Sequence, residues 1–347
     1  MRLHKAGLSV ALLLALAGWL VSPKLAQTSG QPARGTEHTQ AAGFSDAGKA
    51  ALSRQLSDAV SRGDTPGVVA LVVGREGVFY EGAAGKLDVA HNVAMPVNAI
   101  FSIASMTKPV TSAAIMMLFE EGKLQLDDPV SKYLTGFDNL RVITKFNDAD
   151  ATYETRLAKR PITIRHLLAV KQSRVPTQHS RVNGLLQEQP RTPIPSTPAP
   201  PFRGDGGLYS TVQDYGKFVQ MMLNDGHLGS ARILSENSVK MMGENNIGSI
   251  FVELQPDADK QRTKPFPLGA GHDKFGLGFQ IASGDPQYAK YRSPGSLSWA
   301  GIYNTEFWID PVKHIGGVQM MQVLPFYDDG AIRTLRDFEE LVYENLR

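Results

Sequence analysis

The stretch that decides the fold is Phe101-Ser102-Ile103-Ala104-Ser105-Met106-Thr107-Lys108. An extended apolar run ends here, and a helical pattern of apolar residues begins and continues to a stop signal at Gly122. Ser105 stands at the predicted helix start, where unpaired backbone N–H groups and the helix dipole favour developing negative charge. Lys108 follows one helical turn later on the same face, so its amine can reach the Ser105 hydroxyl.

This spacing has two interpretations. In the first, Lys108 loses its proton through desolvation and becomes a base that activates Ser105 as a nucleophile. In the second, Ser105 is an ordinary helix N-cap and Lys108 is a solvated surface residue. Motifs elsewhere in the chain favour the first interpretation.

Residues 101–108, with Glu120 to Val130 downstream, resemble the nucleophile region of serine β-lactamase-related hydrolases. This group includes class C β-lactamases, family VIII esterases and DD-peptidases. Further motifs follow in the order typical of the group, at residues 162–168, 206–214 and 298–311. The resemblance implies an α/β fold with an antiparallel sheet flanked by helices. It also implies a serine hydrolase that forms an acyl-enzyme on Ser105, with Lys108 as the base.

Trp299-Ala300-Gly301 occupies the place of the third motif of this group. Penicillin-recognising enzymes usually have Lys-Thr-Gly there, whereas the esterases have Trp-Gly-Gly. By the resemblance, these three residues bind the substrate, and the backbone N–H groups of Ser105 and Ile302 form the oxyanion hole. Without the lysine cation, neutral carboxylic esters are favoured over β-lactams that carry a carboxylate. Plain core packing is the competing interpretation of Trp299.

The family's tyrosine motif has no counterpart here. It normally lies in a helical subdomain between the motifs at residues 162–168 and 206–214, an interval that only Ala169 to Asp205 fills in this chain. That interval contains no tyrosine and ends in a proline cluster, so residues 169–205 are predicted to be an irregular linker that replaces a truncated subdomain. Activity is therefore expected to be weak or absent.

Composition excludes several other classes. The chain has 347 residues, of which 42% are apolar, and its formal net charge is only +2, so nucleic-acid binding is not expected. A glycine-rich phosphate loop and a dense histidine or cysteine cluster are both missing from the sequence, so neither a cofactor nor a metal is expected. The expected partner is a small-molecule ester or a peptide-like substrate.

The N-terminus has the pattern of a targeting segment. A basic head at residues 1–5 precedes an apolar stretch from Ala6 to Val21, which predicts a signal peptide over residues 1–26. Residues 27–43 are predicted to be a disordered leader, and residues 44–347 the hydrolase-related domain. The expected location is periplasmic or secreted, with membrane contact only if the segment stays uncleaved. The absence of cysteine suits an exported protein without disulfides.

Two alternatives to the esterase hypothesis stay open. One is a non-catalytic binding or scaffold protein that keeps the fold without turnover. The other is a β-lactamase or DD-peptidase proper, which Trp299 in the place of lysine disfavours.

Overall fold

The computed structural model describes residues 43–146, 152–165, 179–182, 185–188, 203–255, 262–285 and 291–347. The predicted signal peptide and almost all of the predicted leader lie outside these residues, as does much of the predicted linker. Residues 41–347 belong to one compact unit. None of the helices in the described ranges is long and apolar enough to cross a bilayer.

The described residues include five α-helices, most of which begin at a side chain that caps the first backbone N–H groups. They are α1 (Asp46–Ser61), α2 (Thr107–Glu120), α3 (Val212–Leu223), α4 (Glu236–Gly243) and α5 (Asp329–Asn345). Ser45 caps α1 and Thr211 caps α3, each by accepting a hydrogen bond from a backbone N–H three residues later. Serine and threonine are residue types that favour helix N-caps, so the sequence itself marks these two helix starts.

The strands are short except for the first two. They are β1 (Gly67–Gly74), β2 (Gly77–Asp88), β3 (Val93–Ala94), β4 (Phe101–Ser102), β5 (Arg141–Phe146), β6 (Tyr153–Leu157), β7 (His179–Val182), β8 (Leu185–Glu188), β9 (Tyr209–Ser210), β10 (His227–Leu228), β11 (Ala231–Arg232), β12 (Lys274–Phe275), β13 (Gln280–Ile281), β14 (Leu297–Gly301), β15 (Thr305–Asp310) and β16 (Ile315–Met320).

Eight of these strands form the main sheet, in the order β12-β13-β14-β15-β16-β1-β2-β3. Every pair in it is antiparallel, and β1 pairs with β16, so strands from the two ends of the domain meet at the centre of the sheet. Both β1 and β16 are buried along their whole length, which requires a helical layer on each face. The predicted α/β fold, an antiparallel sheet flanked by helices, is confirmed.

Two hydrophobic clusters fill the spaces between the sheet and its helical layers. On one face, Leu52 of α1 and Phe338 of α5 pack around Trp308. On the other face, Met116 of α2 and Val219 of α3 pack around Phe307. Because Phe307 and Trp308 are neighbours in β15, they point to opposite faces of the sheet. Residues 101–108 pack against this second cluster, to which Phe101, Ile103 and Met106 contribute their side chains.

The interval predicted to be an irregular linker contains a piece of regular structure. Strands β7 and β8 pair as an antiparallel hairpin within residues 169–205, so that part of the prediction is wrong. The overlooked signal is Asn183-Gly184 between the strands, a dipeptide typical of two-residue hairpin turns. Arg181 of the hairpin forms a bidentate ion pair with the buried Asp328, the residue that caps α5.

Candidate active site

Ser105 lies in a single turn of 3-10 helix, Ala104–Met106, directly before α2. The α-helix therefore begins two residues later than the sequence pattern predicts. Ala104 has a φ of +42°, in the left-handed region that residues with a Cβ rarely adopt. Such strain persists only where neighbouring contacts hold the backbone in place. The contacts described next hold Ser105 at the sharp junction between β4 and α2.

Hydrogen bonds from a distant segment hold this junction. Strand β4 pairs with β9, and the Ile103 N–H donates to the Leu208 carbonyl at 3.1 Å. The Leu208 N–H in turn donates to the buried Thr107 hydroxyl at 3.2 Å. From α3, the Tyr215 hydroxyl donates to the Met106 carbonyl at 3.0 Å. Burial raises the pKa of Tyr215 well above its ordinary value, so this hydroxyl is a fixed donor.

Ser105 and Lys108 are in direct contact. Lys108 Nζ lies 2.8 Å from Ser105 Oγ and 2.6 Å from the backbone carbonyl oxygen of Asp205. The second contact can only be donated by the amine, because a carbonyl oxygen only accepts. When Lys108 is neutral, its lone pair is therefore available to accept the Ser105 hydroxyl proton.

The surroundings of Lys108 favour this neutral form. The pKa of Lys108 is lowered to about 8, chiefly by burial; the negative charge of Asp205 opposes this shift and the positive charge of Arg203 adds to it. At pH 7 about one Lys108 in ten is then neutral. Arg203 also forms a bidentate ion pair with Asp205, with Arg203 Nη2 at 2.6 Å from Asp205 Oδ2. The solvated-lysine interpretation does not fit this environment.

Strand β14 ends against the same junction. An added Cβ on Gly301 would lie 2.4 Å from the Ile103 carbonyl oxygen and 2.2 Å from Thr305 Oγ1, so no side chain fits there. Ile302 packs against Ala104, and the Thr305 hydroxyl donates to the Ile103 carbonyl at 3.4 Å. Within the described ranges, the backbone N–H groups of Ser105 and Ile302 donate to no other protein group.

The three predicted substrate-binding residues are divided between the two faces of the sheet. Trp299 packs against the hydrophobic cluster around Phe307, and its ring meets the Phe275 ring edge-on, with 5.2 Å between the ring centroids. Its indole N–H is buried and has no acceptor among the described residues. Ala300 lies opposite Glu306, on the face covered by α5. The Ala300 side chain therefore points away from Ser105, and only its backbone is available to a substrate.

Two contributors to the site were missed in the sequence. The Asp205 carbonyl falls inside the segment interpreted as linker, and Tyr215 lies on the apolar face of α3, where a tyrosine is expected to pack in the core. A backbone carbonyl has no residue signature, although Gly206-Gly207 marks a close approach of chains. Gly207 is needed because an added Cβ would lie 2.8 Å from the Arg203 carbonyl oxygen.

Three scattered histidines, His166, His272 and His314, are the remaining candidates for acid–base chemistry, and the two that the structure describes are not part of this site. His272 pairs with Asp285 at 3.1 Å, and His314 is exposed. His166 lies outside the described residues. Across the ranges that the structure describes, His, Asp and Glu side chains form no group of three or more suited to a metal ion.

The sequence matches the family described as Beta-lactamase over two segments, residues 50–178 and 169–341. The chain belongs to the Beta-lactamase family. Among sequence relatives of this Beta-lactamase family member is Protein Rv1367c of Mycobacterium tuberculosis, which is 27% identical over 378 aligned positions covering 80% of this chain and 90% of the relative. Because the alignment is longer than the 347-residue chain, the relative carries residues that this chain lacks.

Solved structures share the fold of this Beta-lactamase family member. Simvastatin Synthase (LovD) from Aspergillus terreus superposes with a TM-score of 0.68 at 19% identity, covering 86% of this chain and 98% of LovD. EstCE1, described as a hydrolase with promiscuous acyltransferase activity, superposes with a TM-score of 0.61 at 16% identity, covering 86% of this chain and all of EstCE1. At these identities the likeness concerns the fold.

Proposed function

We propose that this chain is a serine hydrolase that acts on carboxylic esters through an acyl-enzyme on Ser105. The observation that carries the proposal is the 2.8 Å contact between Ser105 Oγ and Lys108 Nζ, combined with the lowered pKa of Lys108. A nucleophile in contact with a base that can be neutral near physiological pH is the minimum required for acyl transfer.

Acylation transfers one proton twice. The Ser105 hydroxyl gives its proton to neutral Lys108 as Oγ bonds to the ester carbonyl carbon, and the carbonyl oxygen becomes an oxyanion. The backbone N–H groups of Ser105 and Ile302 are the donors available to this oxyanion. The intermediate then collapses, the bond from carbon to the alcohol oxygen breaks, and Lys108 returns the proton to the departing alcohol. Water later attacks the acyl-enzyme and releases the acid.

The preference for neutral esters rests on Trp299. The indole carries no cation, so a substrate carboxylate at this position would find no opposite charge on the side chain. The fold is shared with Simvastatin Synthase (LovD) and with EstCE1, a hydrolase with promiscuous acyltransferase activity, which supports acyl-transfer chemistry. We also propose that the chain is exported to the periplasm or secreted, since residues 1–26 have a signal-peptide pattern.

Labelling with a fluorophosphonate probe tests the proposal. The wild type is expected to form a covalent adduct at Ser105, located by peptide mass spectrometry. Ser105→Ala should abolish the adduct and leave the melting temperature within about 2 °C, because only one oxygen is lost. Ser102→Ala, a neighbouring serine on β4, is the matched control and should label normally. Lys108→Met should slow labelling by about a hundredfold or more. Equal labelling of wild type and Ser105→Ala would reject the proposal.

A further inference from the structure

The turn that joins β14 to β15 contains a buried asparagine. Asn304 has a φ of +58°, and its N–H donates to the Gly301 carbonyl at 2.9 Å to close the turn over Ile302 and Tyr303. Asparagine is one of the few residues other than glycine that adopt this conformation readily. The backbone of the turn alone would therefore accept glycine as well.

The Asn304 side chain does more than permit the turn. It is 1% exposed, and its Nδ2 donates to the carbonyls of Val323 and Pro325 at 2.8 and 2.9 Å. Its Oδ1 accepts from the Tyr327 N–H at 2.8 Å. Both amide protons and the carbonyl of this side chain are used, so the amide joins the turn to the segment that follows β16 at three points.

Adjacent contacts extend this connection in both directions. The Val323 N–H donates to the Tyr303 carbonyl at 3.1 Å, a fourth bond between the turn and the same segment. The next residue, Thr305, donates its hydroxyl to the Ile103 carbonyl beside Ser105. Ile302 lies in this hydrogen-bonded turn, between Gly301 and Asn304. Gly301 in turn lies against Ile103, next to the junction of β4 and α2 that carries Ser105. The direction of the Ile302 N–H is therefore set by contacts on either side.

We propose that Asn304 is a positioning residue that fixes the Ile302 N–H relative to Ser105. The inference rests on the proposed acyl-transfer function, in which the Ile302 N–H receives the oxyanion. A donor held rigidly before reaction stabilises the developing charge without reorganising, whereas a donor on a loosened turn loses this advantage. Asn304 itself lies behind the turn and does not contact the reacting atoms.

Asn304→Gly is the decisive variant because glycine keeps the positive φ and removes only the amide. Acylation by p-nitrophenyl butyrate is measured in the pre-steady state, which separates substrate binding from the acylation rate constant. We expect the rate constant to fall by about tenfold to a hundredfold while the dissociation constant of the substrate stays within about twofold. Asn92→Gly is the matched control, since Asn92 has a φ of +56° on an exposed turn and should react like the wild type.

A second variant keeps the test informative if the first loses stability. Asn304→Asp retains an acceptor for the Tyr327 N–H but places an oxygen against the Val323 and Pro325 carbonyls, so it should lower acylation at least as much. All assays are run at least 15 °C below the melting temperature of each variant.

An unchanged acylation rate constant in folded Asn304→Gly would overturn the inference and leave the proposed function intact. Loss of binding and acylation in equal proportion would also overturn it. A wild type that forms no adduct at Ser105 would overturn both.

Discussion

Lys108 Nζ lies 2.6 Å from the backbone carbonyl oxygen of Asp205, a residue 97 positions later in the chain. A neutral amine that donates one proton to this carbonyl has its rotation restricted, and its lone pair can then face Ser105 Oγ. The same segment brings two charges to Lys108: that of Asp205 raises the pKa of the amine, and that of Arg203 lowers it. The candidate base is thus oriented and tuned by one distant segment.

The acylation rate should follow the neutral form of Lys108. Because deprotonated Lys108 is the base, the rate is expected to rise with pH, to reach half its maximum near pH 8 and to level off above it. Arg203→Gln removes a positive charge beside Lys108 and should move the midpoint to higher pH. Lys217→Gln removes an exposed cation paired with Asp214 and should leave the midpoint unchanged. Stopped-flow measurement of the acylation rate between pH 6 and 10 gives the midpoint for the wild type and for each variant. An acylation rate that does not change with pH would show that Lys108 is not the base.

Substrate preference should reflect Trp299. The specificity constant for p-nitrophenyl butyrate is expected to exceed that for nitrocefin, because position 299 offers no cation to an anionic β-lactam. Trp299→Lys should lower ester turnover by about tenfold or more, since it removes the ring that packs on Phe275, without creating an efficient β-lactamase. Steady-state kinetics on the two chromogenic substrates decides the matter. A wild type that prefers nitrocefin would support the β-lactamase alternative instead.

Turnover is expected to be slow even though acylation occurs. The family resemblance implies a tyrosine that shuttles protons in acylation and deacylation, and residues 169–205, where it would lie, contain none. Lys108 alone must then serve both the departing alcohol and the incoming water. We expect a burst of p-nitrophenol that approaches one equivalent, followed by a rate well below about 1 per second. Intact mass spectrometry should show the trapped acyl group on the wild type and none on Ser105→Ala. A turnover number in the ordinary enzymatic range, with no burst, would mean that deacylation needs no such tyrosine.

Glu306 should make stability depend on pH. Its side chain is buried beside Gln319 of β16, and the Glu306 Oε1 and both polar atoms of the Gln319 amide have no hydrogen-bond partner in the part of the chain that the structure describes. Burial raises the pKa of Glu306 to about 8; the charge of Arg292 opposes this shift and that of Glu339 adds to it. Tyr327 also faces this carboxyl group. Glu306 is therefore largely protonated at neutral pH.

The sign of the effect follows from the raised pKa. An unfolded glutamate ionises near pH 4.5, so the contribution of Glu306 to stability is full below that pH and is lost as the pH rises to about 8. Glu306→Gln imitates the protonated form and does not titrate. Its melting temperature should match the wild type within about 2 °C at pH 5 and exceed it by about 3 °C or more at pH 8. Glu154→Gln, on the exposed strand β6, should show no such difference. If the difference in melting temperature between wild type and Glu306→Gln were the same at pH 5 and pH 8, Glu306 would be ionised at both pH values and the prediction would be wrong.

The features that could be predicted from the sequence alone are those that depend on residues close together in the chain. The approach of Lys108 to Ser105 follows from three residues of helical backbone, and the caps at Ser45 and Thr211 follow from one turn each, so these features were visible in the sequence. The antiparallel α/β fold followed from family motifs in their usual order. Only the tertiary structure placed the Asp205 carbonyl on Lys108, Tyr215 behind Met106, and the Asn304 amide on residues 323–327. These contacts join segments far apart in the chain, and they depend on how the layers pack. The pKa values of Lys108 and Glu306 depend on burial, which packing alone decides.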